Sequence, residues 1–288
     1  MILLDGKKAR AELKLKLKER ITDLSHISNT PIIPTLALIQ VGDVKESSIY
    51  VSQKILFAES VGAKVIHIKL SNEINFNDLV SEIKKHNDDS SVHGIIVQLP
   101  LPAHLDKDAV IEIINPLKDV DGLTDENQNL LVLGQPRFIP ATAKGIMTLL
   151  DFYHIDVKDK KVCVLGRSKL VGSPVAKMLT ILGAKVSVCH SQTDHPEEIS
   201  KTADILISAI GKPHHIDISY LKENAVVIDV GLTHISGKGG VSDVDRKALE
   251  GHIQAITPVI GGVGPMTVLS LFDNLIHSVD LMTKKTNG

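Results

Sequence analysis

Tyr50 and Lys54 lie four residues apart in the segment Ser-Ser-Ile-Tyr-Val-Ser-Gln-Lys. At this spacing both side chains lie on one face of a helix, with the tyrosine ring beside the lysine amine. Burial next to the ring would lower the pKa of the lysine and leave a neutral amine that can accept a proton near neutral pH. An ordinary half-exposed helix is the alternative interpretation of this pair taken alone.

Two further segments supply polar groups that fit a site with this amine. Gln98 ends the apolar run Gly-Ile-Ile-Val-Gln, and Asp119 and Asp121 lie in a Lys-Asp-Val-Asp-Gly loop. An amine, an amide and an acid at the ends of separate elements indicate a small-molecule site. Each also has a plainer interpretation: Gln98 as a hydrogen-bonded strand-end amide, the two acids as turn caps, and Lys118 as a solvated side chain.

The composition is that of a globular protein with a core. Of 288 residues, 43% are hydrophobic and 23% charged, and the length allows two domains of ordinary size. The net charge of −2 gives no reason to expect nucleic acid or an anionic membrane as the main partner. No apolar run approaches the roughly 20 residues that span a membrane, and the N-terminus does not resemble a signal peptide.

Neither the cysteines nor the histidines predict a cofactor. Cys163 and Cys189 lie inside apolar runs, so we expect small buried thiols in a reducing compartment and a soluble, cytoplasmic protein. The 13 histidines are scattered along the chain. His214 and His215 are adjacent and would not point together on a strand, so we expect no metal site.

Alternating strands and helices dominate the chain and predict βαβ units on parallel sheets. A helix is predicted over 9–24, followed by strand 35–41, helix 47–61, strand 64–69, helix 76–87, strand 93–99 and helix 106–115. After an irregular stretch come helix 142–154, strand 160–165, helix 170–182, strand 185–189, helix 195–202, strands 204–209, 225–230 and 253–257, and a last helix over roughly 266–284.

The irregular stretch, 116–140, is rich in proline and glycine and has little periodicity. A long segment of this kind inside a compact protein is usually functional or connects domains, and we expect this one to do both. The fold class is therefore predicted as α/β, with two α/β domains.

A strand, a glycine turn and a helix follow one another in Val-Cys-Val-Leu-Gly-Arg-Ser-Lys-Leu-Val-Gly-Ser-Pro-Val-Ala, the context in which a dinucleotide phosphate rests on a helix N-terminus. Gly166 matches the first glycine of the usual pattern. Ser168 replaces the second glycine, and the third is displaced to Gly172. A plain strand-to-helix turn is therefore an open alternative.

The next strand favours NADP over NAD. It ends in His190 and Ser191, where an NAD site usually has an acid for the ribose 2′-hydroxyl. Hydroxyl and imidazole donors, together with Arg167 in the first turn, suit a 2′-phosphate instead. A third strand ends at Gly211, whose small size would let the nicotinamide ribose approach the backbone.

Six motifs in order make the chain similar to the bifunctional methylenetetrahydrofolate dehydrogenase/cyclohydrolase family over nearly its whole length. They are Ser47-x-x-Tyr50-Val51-x-x-Lys54, Gln98-Leu99-Pro100-Leu101-Pro102, Lys118-Asp119-Val120-Asp121-Gly122, Gly166-Arg167-Ser168 with Val171-Gly172-x-Pro174, Cys189-His190-Ser191-x-Thr193, and Gly261-Gly262-Val263-Gly264-Pro265-Met266-Thr267.

The resemblance implies a catalytic domain over 1–140, completed by the C-terminal helix 266–288, and a Rossmann-type NADP-binding domain over 141–265. A cleft separates the two domains in this family. The resemblance also implies a homodimer formed through the nucleotide-binding domain and a place in one-carbon metabolism that serves purine biosynthesis.

The resemblance assigns roles residue by residue. Lys54, Gln98 and Asp121 fall on the catalytic positions, with Asp121 also holding the pterin. Tyr50, Ser47, Gly264 and Pro265 fall on the folate side. The implied NADP contacts are Gly166, Arg167, Ser168, Ser191, Gly211 and Thr267.

Two reactions at one site follow from the resemblance. NADP⁺ would oxidise 5,10-methylenetetrahydrofolate to the 5,10-methenyl cation, and water would open that cation to 10-formyltetrahydrofolate. A dehydrogenase without hydrolysis and a non-catalytic NADP-binding regulatory protein are the alternatives. The chain departs from the family pattern at Leu123-Thr124, Ala141, Ser242 and Ile260.

Overall fold

The computed structural model of the protein describes residues 1–24, 32–235, 239–249 and 251–286. The chain forms two compact α/β units. One consists of Glu12–Ala141 with Val268–Gly288 and is called the lysine unit, because it contains Lys54. The other consists of Met1–Ala11 with Thr142–Thr267 and is called the arginine unit, because it contains Arg167.

The helices and strands alternate along the chain. In order they are β1 (Ile2–Leu3), α1 (Gly6–Leu24), β2 (Thr35–Val41), α2 (Lys45–Val61), β3 (Lys64–Leu70), α3 (Phe76–Asp88), β4 (Gly94–Val97), α4 (Lys107–Ile111), α5 (Asp125–Val132), α6 (Ala141–Phe152), β5 (Lys161–Leu165), α7 (Gly172–Ile181), β6 (Lys185–Cys189), α8 (Pro196–Ser200), β7 (Ile205–Ser208), β8 (Val226–Asp229), β9 (Leu232–Ile235), β10 (Gly239–Ser242), β11 (Ala255–Ile256) and α9 (Val263–Thr286). Short 3₁₀ turns occupy Ile218–Tyr220 and Arg246–Ala248.

The lysine unit is built on a three-stranded parallel sheet in the order β3-β2-β4. All seven residues of the central strand β2 are buried, as expected for a strand covered on both faces. Helix α3 turns Leu79 and Ile83 toward this core, and the side chain of Asn75 caps its first turn through the Asp78 amide. Packing of the sheet and of α3 around this core fixes the positions of the carboxyl ends of β2 and β4.

The C-terminal part of α9 packs in the lysine unit. The rings of Phe57 and Phe272 lie with their centroids 5.3 Å apart. Buried Asn274 donates from Nδ2 to the carbonyls of Val120 and Ile139, both at 2.9 Å. These bonds satisfy backbone carbonyls near the two ends of the stretch 116–140, and leaving such groups unpaired in the interior would be costly.

The arginine unit is built on a six-stranded parallel sheet in the order β1-β11-β8-β7-β5-β6. The chain runs from β5 outward to the edge strand β6, then crosses to the other side of β5 to form β7. The carboxyl ends of β5 and β7 therefore meet at a topological switch point, where open α/β sheets bind their ligands. An antiparallel hairpin of β9 and β10 follows β8.

The predicted α/β class is confirmed, and each predicted strand and helix overlaps one in the structure. One helix was not predicted: α5 lies inside the stretch 116–140 that the sequence analysis treats as irregular. Its start depends on Asp119, whose Oδ2 accepts from the amide and the hydroxyl of Thr124, each at 2.8 Å. Thr124 is the N-cap residue but makes no side-chain cap bond of its own, and the bonds that fix it come from five residues upstream, outside the helix.

The unit boundaries differ from the predicted domains at the N-terminus. Met1–Ala11 groups with the arginine unit rather than with the rest of 1–140, because β1 pairs in parallel with β11. This strand has only two residues, too few to show a period in sequence. Across the described ranges, none of the helices is long and apolar enough to cross a membrane.

Candidate functional site

Helix α2 carries three of the predicted site residues on successive turns. Ser47 is buried in the first turn, and its Oγ donates to the Leu99 carbonyl at 3.4 Å. Tyr50 and Lys54 follow, both partly buried. The spacing that predicted a shared helix face is thus realised in one continuous helix.

Lys54 and Gln98 form a direct contact between α2 and the end of β4. The Lys54 Nζ donates to Gln98 Oε1 at 2.7 Å. The amide nitrogen of the Gln98 side chain donates to the Leu99 carbonyl at 2.7 Å, so the side chain is held at both ends. Gln98 is therefore a hydrogen-bonded strand-end amide that also fixes the direction of the lysine amine.

Asp121 joins this pair electrostatically. Burial lowers the pKa of the Lys54 amine, and the negative charge of Asp121 opposes that shift. Burial likewise raises the pKa of the Asp121 carboxyl, with a smaller raising effect from Asp119 and opposing effects from Lys54 and the Ala141 amide. Burial also raises the pKa of Tyr50. Each group is shifted toward its neutral form, as is typical of groups that take part in proton transfer.

Asp119 and Lys118 hold the loop that carries Asp121. Besides Thr124, Asp119 Oδ2 accepts from Asn127 Nδ2 at 2.8 Å, so its carboxylate is the turn cap that the plainer interpretation expected. Lys118 is not solvated: it is buried, and its Nζ donates to the carbonyls of His86, Asn87 and Asp89 at 3.1, 2.7 and 2.7 Å. An ammonium at the last carbonyls of α3 is favoured by the helix dipole.

The glycine turn of the arginine unit is shaped by two close backbone approaches. Gly166 has a φ of +111°, and a Cβ there would lie 2.6 Å from the Ala209 carbonyl oxygen. A Cβ on Gly172, the first residue of α7, would lie 2.1 Å from the Gly166 oxygen. The displaced third glycine is therefore used for close strand–helix packing. Ser168 Oγ accepts from the Val171 amide at 3.2 Å and closes the turn.

Arg167 leaves this turn exposed beside the end of β6. Its Nη2 donates to Gln192 Oε1 at 3.3 Å, and its Nη1 lies 3.5 Å from His190 Nε2. Ser191 is exposed between these two partners. Gln192 was not among the predicted site residues, although its position next to Ser191 in the same motif was a signal for it.

The remaining predicted residues also lie in the arginine unit. Gly211 follows β7 with a φ of +65° and is exposed. Gly264 and buried Pro265 form the first turn of α9, and the Thr267 hydroxyl lies 3.4 Å from that of Thr142. The structure therefore brings Lys54, Gln98 and Asp121 together in one unit, and Gly166, Arg167, Ser168 and Ser191 in the other.

The arginine unit has features that suit a phosphorylated dinucleotide. The tight turn after β5 leaves backbone exposed at the switch point, and the end of β6 presents Ser191 and the Arg167 cation instead of an acid. Within the ranges that the structure describes, no group of three His, Cys, Asp or Glu side chains could hold a metal ion.

Two family models match the chain. Residues 4–121 match the catalytic domain of tetrahydrofolate dehydrogenase/cyclohydrolase, and residues 140–283 match its NAD(P)-binding domain. Among curated relatives, the bifunctional protein FolD of Agathobacter rectalis is 43% identical over 96% of this chain and 98% of that protein. FolD of Campylobacter curvus is 43% identical over 99% of this chain and 98% of that protein.

Solved structures of the same kind superpose on the chain. The bifunctional FolD of Campylobacter jejuni aligns with a TM-score of 0.93 at 40% identity, covering 98% of this chain and 99% of that one. The Trypanosoma brucei methylenetetrahydrofolate dehydrogenase-cyclohydrolase, solved with NADP and an inhibitor, aligns with a TM-score of 0.93 at 32% identity, covering 100% and 99%.

Proposed function

Because the chain belongs to the tetrahydrofolate dehydrogenase/cyclohydrolase family, we propose that it oxidises 5,10-methylenetetrahydrofolate with NADP⁺ and hydrolyses the resulting 5,10-methenyl cation to 10-formyltetrahydrofolate. The observation that carries the proposal is the 2.7 Å contact between Lys54 Nζ and Gln98 Oε1, beside a carboxyl group whose pKa is raised. Both family models match, so the chain has a catalytic domain and a cofactor-binding domain for the proposed reactions.

NADP⁺ supplies the hydride acceptor for the oxidation. In the arginine unit, Gly166, Ser168, Gly211 and Thr267 would hold its shared parts. Arg167 and Ser191 would bind the 2′-phosphate, because a fixed guanidinium and a hydroxyl are good phosphate donors and no acid is present there to repel it.

Hydrolysis is the reaction for which Lys54 is suited. The methenyl substrate is a cation, and a protonated amine would repel it. With its pKa lowered by burial, Lys54 is more readily neutral and can accept a proton at Nζ from the attacking water. Donation of one N–H to Gln98 leaves the lone pair of the amine directed elsewhere, so Gln98 orients the base without adding charge.

Asp121 and Tyr50 are the proposed contacts for the folate rings. An ionised Asp121 carboxylate can accept two hydrogen bonds from the amino-pyrimidine edge of a pterin, and a protonated one can also donate. Tyr50 offers a ring face for stacking. Ser47, Gly264 and Pro265 complete the proposed folate contacts.

A spectrophotometric assay with 5,10-methylenetetrahydrofolate tests the proposal. We expect NADP⁺-dependent formation of methenyltetrahydrofolate, a lower rate with NAD⁺, and hydrolysis of added methenyltetrahydrofolate without any nucleotide. Oxidation without hydrolysis would support a dehydrogenase alone. Cofactor binding with neither reaction would support a regulatory protein and contradict the proposal.

We further propose a cytoplasmic homodimer formed through the arginine unit. Strand β6 forms one edge of the six-stranded sheet, and its Val188 is 41% exposed. An edge strand with an exposed apolar side chain is a surface on which a second copy can pair. Light scattering at micromolar concentration should give twice the chain mass of 31.2 kDa. A monomer would contradict the proposed assembly but not the proposed reactions.

A further inference from the structure

Asp243 is a buried acid in the arginine unit that the proposed reactions leave without a role. It follows β10 and has no exposed surface. Its Oδ2 accepts three hydrogen bonds, from Ser208 Oγ at 2.9 Å, the Ile210 amide at 3.0 Å and the Gly211 amide at 3.2 Å. One carboxylate oxygen thus accepts from three of the residues that lead out of β7, while the Ala209 amide between them donates to the Leu165 carbonyl.

The backbone beside Asp243 holds the same loop further along. The Ser242 carbonyl accepts from the His214 amide, and the Asp243 carbonyl from the Ile216 amide, both at 3.0 Å. Gly231 leaves the space that the carboxylate occupies, because a Cβ there would lie 2.0 Å from Asp243 Oδ2. The acid therefore lies in a fitted cradle between the ends of β7 and β8.

This cradle is next to the switch point of the sheet. Ala209 borders the Gly166 turn, and Gly211 is the proposed contact for the nicotinamide half of the cofactor. The Ile210 and Gly211 amides lie where the chain turns after β7, and Gly211 has a φ of +65°. Hydrogen bonds from both amides to one buried oxygen restrict the conformations open to this turn. The carboxylate fixes the peptide surface at the place where the reacting end of the cofactor would rest.

We propose that Asp243 is a positioning residue for the dehydrogenase reaction, acting through the backbone of residues 208–211 on the nicotinamide half of NADP. The inference rests on the proposed function. Hydrolysis needs no nucleotide, so the second reaction of the same protein is an internal control for folding.

The decisive variants are Asp243→Ala and Asp243→Asn. Alanine removes the acceptor, and misplacement of a reacting group by about 1 Å can cost up to roughly 100-fold in rate. We expect Asp243→Ala to lower the dehydrogenase kcat roughly 10- to 100-fold and to change methenyl hydrolysis less than about twofold. Asparagine keeps one acceptor oxygen and should restore most of the dehydrogenase rate.

Ser242→Ala is the matched control. Ser242 is the neighbouring buried residue, and its hydroxyl donates to Asp229 rather than to the 208–211 turn. It should leave the ratio of the two activities unchanged, even where thermal stability falls. Hydrogen–deuterium exchange of a peptide containing 208–211 should speed up in Asp243→Ala and not in Ser242→Ala.

The outcomes separate the two proposals. A wild-type protein without either activity would contradict the proposed function itself. An active wild type in which Asp243→Ala lowers both activities equally, or neither, would overturn the positioning role. If Asp243→Ala does not fold, Ser208→Ala removes one of the three donors, and an unchanged ratio of activities in that variant would also overturn it.

Discussion

Lys54 and Arg167 are the two cations on which the proposed function depends, and they occupy opposite environments. Lys54 is partly buried, donates to Gln98 and has a pKa lowered by burial. Arg167 is exposed at the end of a glycine turn, and its guanidinium contacts the polar side chains of Gln192 and His190.

The difference follows from what each cation is proposed to do. A base must be uncharged, so it belongs in a partly buried position, where desolvation lowers the pKa of a lysine and lets it become neutral. A phosphate ligand must keep its charge, and an exposed guanidinium does so at any physiological pH. The proposed base therefore depends on packing in the lysine unit, and the proposed 2′-phosphate contact on an exposed side chain in the arginine unit.

Lys54→Met should have the largest effect of the variants, and a small effect would contradict the contrast between the two cations. Methionine keeps the length of the side chain and removes the base, so methenyl hydrolysis should fall by at least roughly 100-fold. The affinity for NADP⁺ should not change. Because protonation inactivates the base, wild-type hydrolysis should also fall as the pH is lowered. The measurement is the initial rate of methenyl loss across a pH series.

Lys84→Met is the control for this variant. Lys84 is an exposed lysine of the same unit, on α3. The Lys84→Met protein should hydrolyse methenyltetrahydrofolate at the wild-type rate. A Lys54→Met protein that hydrolyses near that rate would remove Lys54 from the reaction.

Asp121→Ala tests whether folate recognition is confined to the lysine unit. Loss of a carboxylate that accepts two charge-assisted hydrogen bonds should weaken folate binding roughly 100-fold and leave NADP⁺ binding within about twofold. Calorimetry with each ligand measures both affinities. Asp125→Ala, an exposed acid of the same unit, should change neither. Equal losses for the two ligands in Asp121→Ala would make Asp121 a structural residue.

Asp229→Asn tests whether a buried acid of the arginine unit affects the stability of the protein. Burial raises the pKa of Asp229 from 3.8 to about 6, and its side chain is 1% exposed. The folded protein therefore holds a proton that the unfolded chain releases between those values. Stability should fall as pH rises through that window, by about 3 kcal/mol for a shift of about two units.

The asparagine variant cannot titrate, so its free energy of unfolding, measured in urea, should rise relative to that of wild type as the pH increases from about 4 to about 7. Other acids contribute equally to both proteins and cancel in the difference. A difference that does not change with pH would show that Asp229 is ionised throughout.

Arg167→Ala should have the smallest effect of the variants, and it tests the proposed role of the second cation. Loss of a charge-assisted contact should raise the KM for NADP⁺ roughly ten- to a hundredfold and change that for NAD⁺ little. Steady-state kinetics with both nucleotides gives the two constants. If both rise equally, Arg167 contacts the shared pyrophosphate or only shapes the turn, and the 2′-phosphate assignment is wrong.

Local patterns were sufficient to predict most elements and the positions of the proposed site residues. The i, i+4 spacing of Tyr50 and Lys54 depends only on helix geometry, and the apolar run before Gln98 depends only on strand burial. Helix α5, the two-residue β1 and the buried state of Lys118 were not predicted. Each depends on a partner far along the chain or on a cap from outside the element: Asp119 for α5, β11 for β1, and the end of α3 for Lys118.

Which residues are able to do chemistry could be predicted without a fold, because the motif order and the residue types at 54, 98, 121, 167 and 191 are properties of the chain. Their contacts and the direction of their pKa shifts depend on the folded structure. The contact of Lys54 with Gln98 and the opposed pKa shifts of Lys54 and Asp121 arise from burial and from side chains brought together across 44 and 67 positions. Desolvation and Coulomb interactions act through space, so no local pattern encodes them.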